Sequence, residues 1–261
     1  MNISNLSATD LWVVRPQRLA APRLRVICFP YAGVGPAAFR PWARALPRDV
    51  ELCIVHLPGR EGRWREPVIS HADGLTRPIA EALLPLLHTP YVFYGHSLGT
   101  LIGFEVARYL DRVHGTAPLH FVGGAHRAPH LPNPHPEIRH LGDDQFVTEI
   151  NRRYGGIPQL VLENRELLEL LLPALRADFS VYETYDHTAA SPLRCPISMF
   201  GGSEDRYASA VELSEWSRHT SARFQHTTLP GDHFFIHSQR DVLLEAALAG
   251  EAFAPGAGLR Q

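Results

Sequence analysis

Ser97, Asp205 and His233 are of the types, and in the order, that nucleophilic chemistry on a carbonyl requires. Ser97 stands in the pentapeptide Gly95-His96-Ser97-Leu98-Gly99. A serine hydroxyl attacks a carbonyl only when a base takes its proton and an acid orients that base. The acid follows the apolar run Ile197–Phe200, in Gly201-Gly202-Ser203-Glu204-Asp205. The base follows the run Phe224–Leu229, in Pro230-Gly231-Asp232-His233-Phe234-Phe235. Asp205 is the expected acid, with Glu204 in reserve. His233 is the expected base, since His226 falls mid-strand and His237 in a helical pattern. The negative charge that develops on the attacked oxygen needs fixed N–H donors. The main chain of Leu98 is one. The loop Pro30-Tyr31-Ala32-Gly33-Val34-Gly35 supplies the other, from Ala32, with Gly33 in reserve.

Gly-x-Ser-x-Gly acquires meaning only between a strand and a helix; elsewhere Ser97 would read as a helix N-cap. Tyr91–Tyr94 (YVFY) is the strand, and Leu98–Leu110, apolar at 98, 101, 102, 104, 106, 107 and 110, is the helix. Further short apolar runs read as strands: Leu24–Phe29, Val50–His56, Leu119–Val122, Ile197–Phe200 and Phe224–Leu229. They are continuous rather than alternating, as in strands covered on both faces. Helical patterns lie between them, at Ala37–Ala45 and Gly74–Leu87. This alternation predicts an α/β fold, a mostly parallel sheet with helices on both faces. In such a sheet a group just past a strand's carboxyl end shares an edge with Ser97.

Residues 129–187 break the rhythm. A Pro/His-rich stretch leads into helical patterns at Asp143–Tyr154 and leucine-rich Leu162–Leu175, then the aromatic Phe179–Tyr185. The segment is expected to be a helical lid inserted in a core of residues 1–128 and 188–249, its apolar underside lining a substrate channel. The alternative is a bundle that only packs on the body. The tail, 250–261, is expected to be disordered.

A chain of 261 residues, 45% hydrophobic and 20% charged, suffices for one domain with its own core. A net charge of −2 excludes the basic excess of a nucleic-acid binder. No secretory signal or membrane-spanning run is visible, so the cytoplasm is expected. Three cysteines, Cys28, Cys53 and Cys195, lie in apolar runs, which suits reduced, buried thiols. His120, His126, His130, His135 and His140 cluster without the spacing of a metal site, and neither a metal nor a cofactor is expected.

Seven segments in order resemble one family: Phe29-Pro30-Tyr31-Ala32-Gly33; Leu57-Pro58-Gly59-Arg60-Glu61 with Arg65-Glu66-Pro67; Gly95–Gly99; Arg127-Ala128-Pro129; Leu175-Arg176-Ala177-Asp178-Phe179; and Leu229–Phe235. Together they look like a type II thioesterase, the free-standing editing enzyme of polyketide and nonribosomal peptide assembly, on the α/β-hydrolase fold. The resemblance implies hydrolysis of a stalled acyl group from the phosphopantetheine arm of an acyl or peptidyl carrier protein, by a monomer, without nucleic acid, membrane or cofactor. The sequence departs from the family at Leu98, often methionine, and at Arg206, often proline, next to Asp205. A basic loop, Arg60, Arg63 and Arg65 with Trp64, reads either as a dock for an acidic carrier or as a solvated loop paired with Glu61 and Glu66. The other readings are a general carboxylesterase or acyltransferase of the same fold and a non-catalytic acyl- or carrier-binding protein.

Overall fold

The structure, a computed structural model, describes residues 7–250. The strands are β1 (Val13–Val14), β2 (Leu24–Phe29), β3 (Val50–Val55), β4 (Tyr91–His96), β5 (Phe121–Gly124), β6 (Ile197–Gly202) and β7 (Phe224–Leu229). They form one seven-stranded sheet among the described residues, in the order β1-β3-β2-β4-β5-β6-β7. All neighbours are parallel except β1 with β3. The expected mostly parallel α/β sheet is therefore present. The two-residue β1 is too short to show a pattern in sequence.

Inside the sheet the side chains alternate between two apolar layers. Ile27, Phe29 and Phe93 pack with helices α2 (Ala72–Leu83) and α3 (Leu98–His114) on one face. Val26, Cys28 and Tyr94 pack on the other against Phe39, Trp42 and Leu243, the last from α8 (Arg240–Leu248). Burial on both faces explains the continuous apolar runs of β2, β3 and β4. It fails for β7, where residues 225–228 are exposed. That strand closes the sheet's edge, and its polar side chains face water.

Three other expectations shift at their edges. The pattern at Ala37–Ala45 forms a 3-10 helix, Pro36–Arg44, because Pro41 lacks the N–H and crowds the preceding carbonyl of an α-helix. The strand read at Leu119–Val122 runs instead over Phe121–Gly124; a Cβ on Gly123 would lie 2.7 Å from Met199 Sδ and Thr100 Cγ2, so glycine there serves packing rather than a turn. The leucine-rich pattern is divided at Asn164, whose side chain caps the longer helix by accepting the Leu167 N–H.

Between β5 and β6 run α4 (Asp143–Tyr154), α5 (Gln159–Leu162) and α6 (Arg165–Glu183). They have an apolar cluster of their own, built on Phe146, Ile150, Leu172, Leu175 and Phe179. A short helix, α7 (Ala210–Ser214), follows β6, and α1 (Ala8–Trp12) precedes β1. The tail expected to be disordered lies, beyond Gly250, outside the described residues. Because β2, β4, β6 and β7 are parallel, the loops that follow them meet along one edge of the sheet, and there α6 crosses over.

Candidate active site

Ser97 is the single turn residue between β4 and α3, with φ 51° and ψ −122°. That conformation is strained for any residue with a Cβ. Its neighbours show why the turn is so tight. A Cβ on Gly99 would lie 2.0 Å from the Phe29 carbonyl oxygen, and one on Gly95 2.5 Å from the main chain of Gly99 and Thr100. The serine is held by its own N–H, which donates to the Gly124 carbonyl at 2.8 Å, and by its carbonyl, which accepts from Thr100 N–H at 2.9 Å. The result is a hydroxyl fixed at the N-terminus of α3, where the helix favours negative charge.

The structure brings together all three residues the sequence singles out. His233 Nε2 lies 3.0 Å from Ser97 Oγ, and His233 Nδ1 lies 2.9 Å from Asp205 Oδ2. A carboxylate only accepts, so Nδ1 carries the proton and Nε2 offers its lone pair to the serine hydroxyl. This is the tautomer a general base needs. Asp205 presents its other oxygen, Oδ1, to the Tyr207 N–H at 2.8 Å, so the loop holds the carboxylate despite Arg206. Burial pushes the Asp205 carboxyl up, but the hydrogen bond and charge of His233 and the Tyr207 N–H outweigh it and leave it below the usual range. The alternatives lie elsewhere: Glu204 is exposed, His226 is on the exposed edge strand, and His237 meets the Tyr31 hydroxyl at 3.2 Å.

The two expected N–H donors fare differently from their reserve. Leu98 opens α3, so its N–H has no acceptor within the helix. Gly33 is already engaged, donating to Asp178 Oδ2 at 2.8 Å, whereas Ala32 lines the cavity beside Ser97. Asp178, on α6, also accepts a fork from Arg60: Nη1 to Oδ2 at 2.6 Å and Nη2 to Oδ1 at 2.9 Å. Both side chains are at least 96% buried. The docking reading of the basic loop fails for this arginine. It fails also for Arg63, which is buried over the Trp12 ring and bonded to Glu66 and the His56 carbonyl. Trp64, 52% exposed with Arg65 stacked on it, stays on the surface.

Ser97, His233 and Ala32 open into a cavity of about 530 Å³, a size typical of small-molecule sites. Ile150 and Tyr154 of α4 and Leu171, Leu175 and Phe179 of α6 line it from above. The Tyr154 ring stands 5.0 Å from that of His233. Sequence reasoning assigned no role to Tyr154 or Asp178. The signal for Asp178 was present: it interrupts the apolar stripe 171, 175, 178, 182, and a buried carboxylate has to be paired.

The histidines clustered in sequence make separate contacts. His120 Nε2 meets Ser198 Oγ at 2.8 Å, His126 Nδ1 donates to the Arg127 carbonyl at 2.6 Å, and His130 Nδ1 meets His219 Nε2 at 2.8 Å. All three cysteines are buried, and burial pushes the thiols of Cys53 and Cys195 up to about 12. Among the described residues no helix is long and apolar enough to cross a membrane.

Comparison with known proteins gives the chain its family. Residues 24–249 match the family described as Thioesterase domain. The protein named linear gramicidin dehydrogenase LgrE, from Brevibacillus parabrevis, is 40% identical over 89% of both chains. The RedJ thioesterase of the prodiginine pathway in Streptomyces coelicolor superposes with a TM-score of 0.80 at 35% identity, covering 88% of this chain and 91% of its own. YbtT, a type II thioesterase of the yersiniabactin NRPS/PKS pathway, superposes with a TM-score of 0.81 at 30% identity, over 93% of this chain and all of its own. The chain therefore belongs to the thioesterase family, and the relatives it resembles in sequence and fold include type II thioesterases of nonribosomal peptide and polyketide pathways.

Proposed function

We propose that this enzyme hydrolyses stalled or aberrant acyl groups from the phosphopantetheine arm of a carrier protein in nonribosomal peptide or polyketide assembly. The observation that carries the reading is the continuous Asp205–His233–Ser97 relay at the mouth of a mostly apolar cavity. In the first half-reaction Ser97 Oγ attacks the thioester carbonyl while His233 Nε2 takes the hydroxyl proton. The oxyanion is met by the N–H groups of Ala32 and Leu98, and Asp205 stabilises the imidazolium. The proton on Nε2 passes to the departing thiolate. In the second, Nε2 takes a proton from water, the hydroxide attacks the seryl ester, and the proton returns to Ser97 as the acid leaves.

The helical segment between β5 and β6 is the lid of this reading, with residues 129–187 as its bounds. Its aliphatic and aromatic underside receives the acyl chain and shields the ester from bulk water. Arg65 and Trp64 are the part of the basic loop left exposed to meet an acidic carrier. We place the enzyme in the cytoplasm as a monomer.

The dehydrogenase name of one relative finds no echo in this site. Gly33-Val34-Gly35-Pro36-Ala37-Ala38 follows β2 with the spacing of a dinucleotide loop. However, the start of the following helix, where a pyrophosphate would sit, is taken by the Glu61 carboxylate, which accepts the Ala37 N–H at 3.0 Å.

The test compares hydrolysis of an acyl-loaded phosphopantetheinyl carrier, the matching coenzyme A thioester and a simple oxygen ester. The carrier thioester is expected to be the best substrate. Ser97→Ala should lower its turnover by roughly 10⁴ or more and abolish labelling by a fluorophosphonate. Good turnover of the oxygen ester with none of either thioester would overturn the reading.

A further inference from the structure

Asp178 has a geometry that the hydrolytic cycle above does not use. It sits on α6 with a side chain 1% exposed, and it accepts three hydrogen bonds from two loops of the body. Two come from Arg60, in the loop after β3. The third comes from the main-chain N–H of Gly33, in the loop after β2, one residue beyond Ala32. Arg60 closes the triangle by donating also to the Val34 carbonyl at 3.4 Å and the Pro58 carbonyl at 3.3 Å. Van der Waals contact follows the same path. Gly33 has φ 79°, and a Cβ there would lie 2.8 Å from Leu175 Cδ1, so α6 rests directly on the loop.

We propose that Asp178 is a positioning residue for the oxyanion-binding loop: by holding Gly33 N–H it sets the direction of the Ala32 N–H and makes that direction depend on where α6 sits. The Ala32 and Gly33 amides belong to successive peptide units, and the loop between β2 and the 3-10 helix at Pro36–Arg44 has no sheet or helix ladder to hold it. An acceptor fixed on α6 therefore defines the peptide orientation. Leu171, Leu175 and Phe179 on the same helix line the cavity, so an acyl chain that seats α6 also seats the hole. Fit of the chain is then read in the chemical step and not in binding alone. The inference rests on the thioesterase mechanism proposed above.

The test keeps buried charge out of the comparison. Two double variants both lack the ion pair: Arg60→Met/Asp178→Asn keeps an oxygen that can accept from Gly33, and Arg60→Met/Asp178→Leu keeps the shape without the acceptor. Both are assayed on the octanoyl thioester of N-acetylcysteamine and for inhibition by an octyl trifluoromethyl ketone, whose adduct places an oxyanion in the hole. The leucine pair is expected to show a kcat about tenfold or more below the asparagine pair, KM within about threefold, and ketone affinity lost by the same factor. Complete fluorophosphonate labelling of both pairs shows that each is folded around Ser97. Equal kcat and equal ketone affinity in the two pairs would overturn the proposal. Should the leucine pair not fold, Thr and Val at 178 on the same Arg60→Met background make the same comparison. Wild-type-like turnover in Ser97→Ala would overturn the mechanism and this inference together. A dead Ser97→Ala with two equal pairs overturns this inference alone.

Discussion

His96 Nε2 donates to the main-chain carbonyl of His233 at 2.8 Å, so the residue before the nucleophile holds the base from behind. His96 is fully buried, and Tyr94 OH, 3.4 Å from Nδ1, donates to its other nitrogen. Burial pushes its pKa down to about 3, which keeps the ring neutral with its proton on Nε2. His96→Phe keeps the ring shape and removes the donor. It should lower kcat by about tenfold or more through a misplaced His233 and destabilise by about 1–3 kcal/mol through an unpaired carbonyl. His96→Gln, whose amide can reach the same carbonyl, should retain more of both. Steady-state kinetics with urea unfolding checks this; unchanged kcat in the phenylalanine variant contradicts it.

The Arg60–Asp178 pair makes a separate prediction about stability. Each single substitution strands a buried charge, so Asp178→Asn or Arg60→Met alone should cost about 3–5 kcal/mol. Removing both charges, as in Arg60→Met/Asp178→Asn, should cost much less than the sum of the two singles. A double-mutant cycle by denaturant unfolding measures the coupling. Additive losses would show that the two side chains do not depend on each other.

Much of the site was legible because its parts are local. Gly95–Gly99 states a turn that only glycine flanks can make, and Asp205 and His233 follow strands whose ends must share the edge with Ser97. What the sequence left open needed three dimensions. Arg60 looked like a surface cation because Glu61 and Glu66 stand beside it, whereas its partner, Asp178, is 118 residues away. The sequence puts Ala32 ahead of Gly33 as the donor, but the contact that occupies the Gly33 N–H comes from Asp178, far along the chain. Gly123-Gly124 reads as a loop by composition, yet the crossing of α3 over β5 demands small residues in the strand.

Acid should destabilise the fold through its buried neutral histidines. Burial holds His96 and His219 down to about 3 and His126 down to about 4. With folded values below the ordinary 6.5, these rings stay neutral while the unfolded chain takes up protons, so stability is lost as pH falls below about 6.5 and continues to fall towards pH 3–4. Asp205, lowered from its ordinary 3.8, adds stability that is lost only as pH falls below about that value, so it plays no part between pH 7.5 and 5.5. The urea midpoint is therefore expected to drop between pH 7.5 and 5.5. His219→Gln, away from the relay, should flatten the dependence by up to one proton, about 1.4 kcal/mol per pH unit. A midpoint that is level across this range would show that these rings titrate normally.

The cavity should set chain-length preference through α6. Leu171 lines it one turn before Leu175, the residue that rests on the Gly33 loop, and is only half-buried. Leu171→Trp is expected to displace the distal methylenes of a long acyl chain, each contributing about 0.8 kcal/mol when buried. Loss of two or three such contacts lowers kcat/KM for a decanoyl thioester by about 10- to 100-fold, while an acetyl or propionyl thioester, too short to reach α6, keeps its rate. A series of acyl coenzyme A thioesters from two to ten carbons reads this directly. An equal loss across the series would mean that the chain does not run beneath α6, and that the helix covers the site without gauging what enters it.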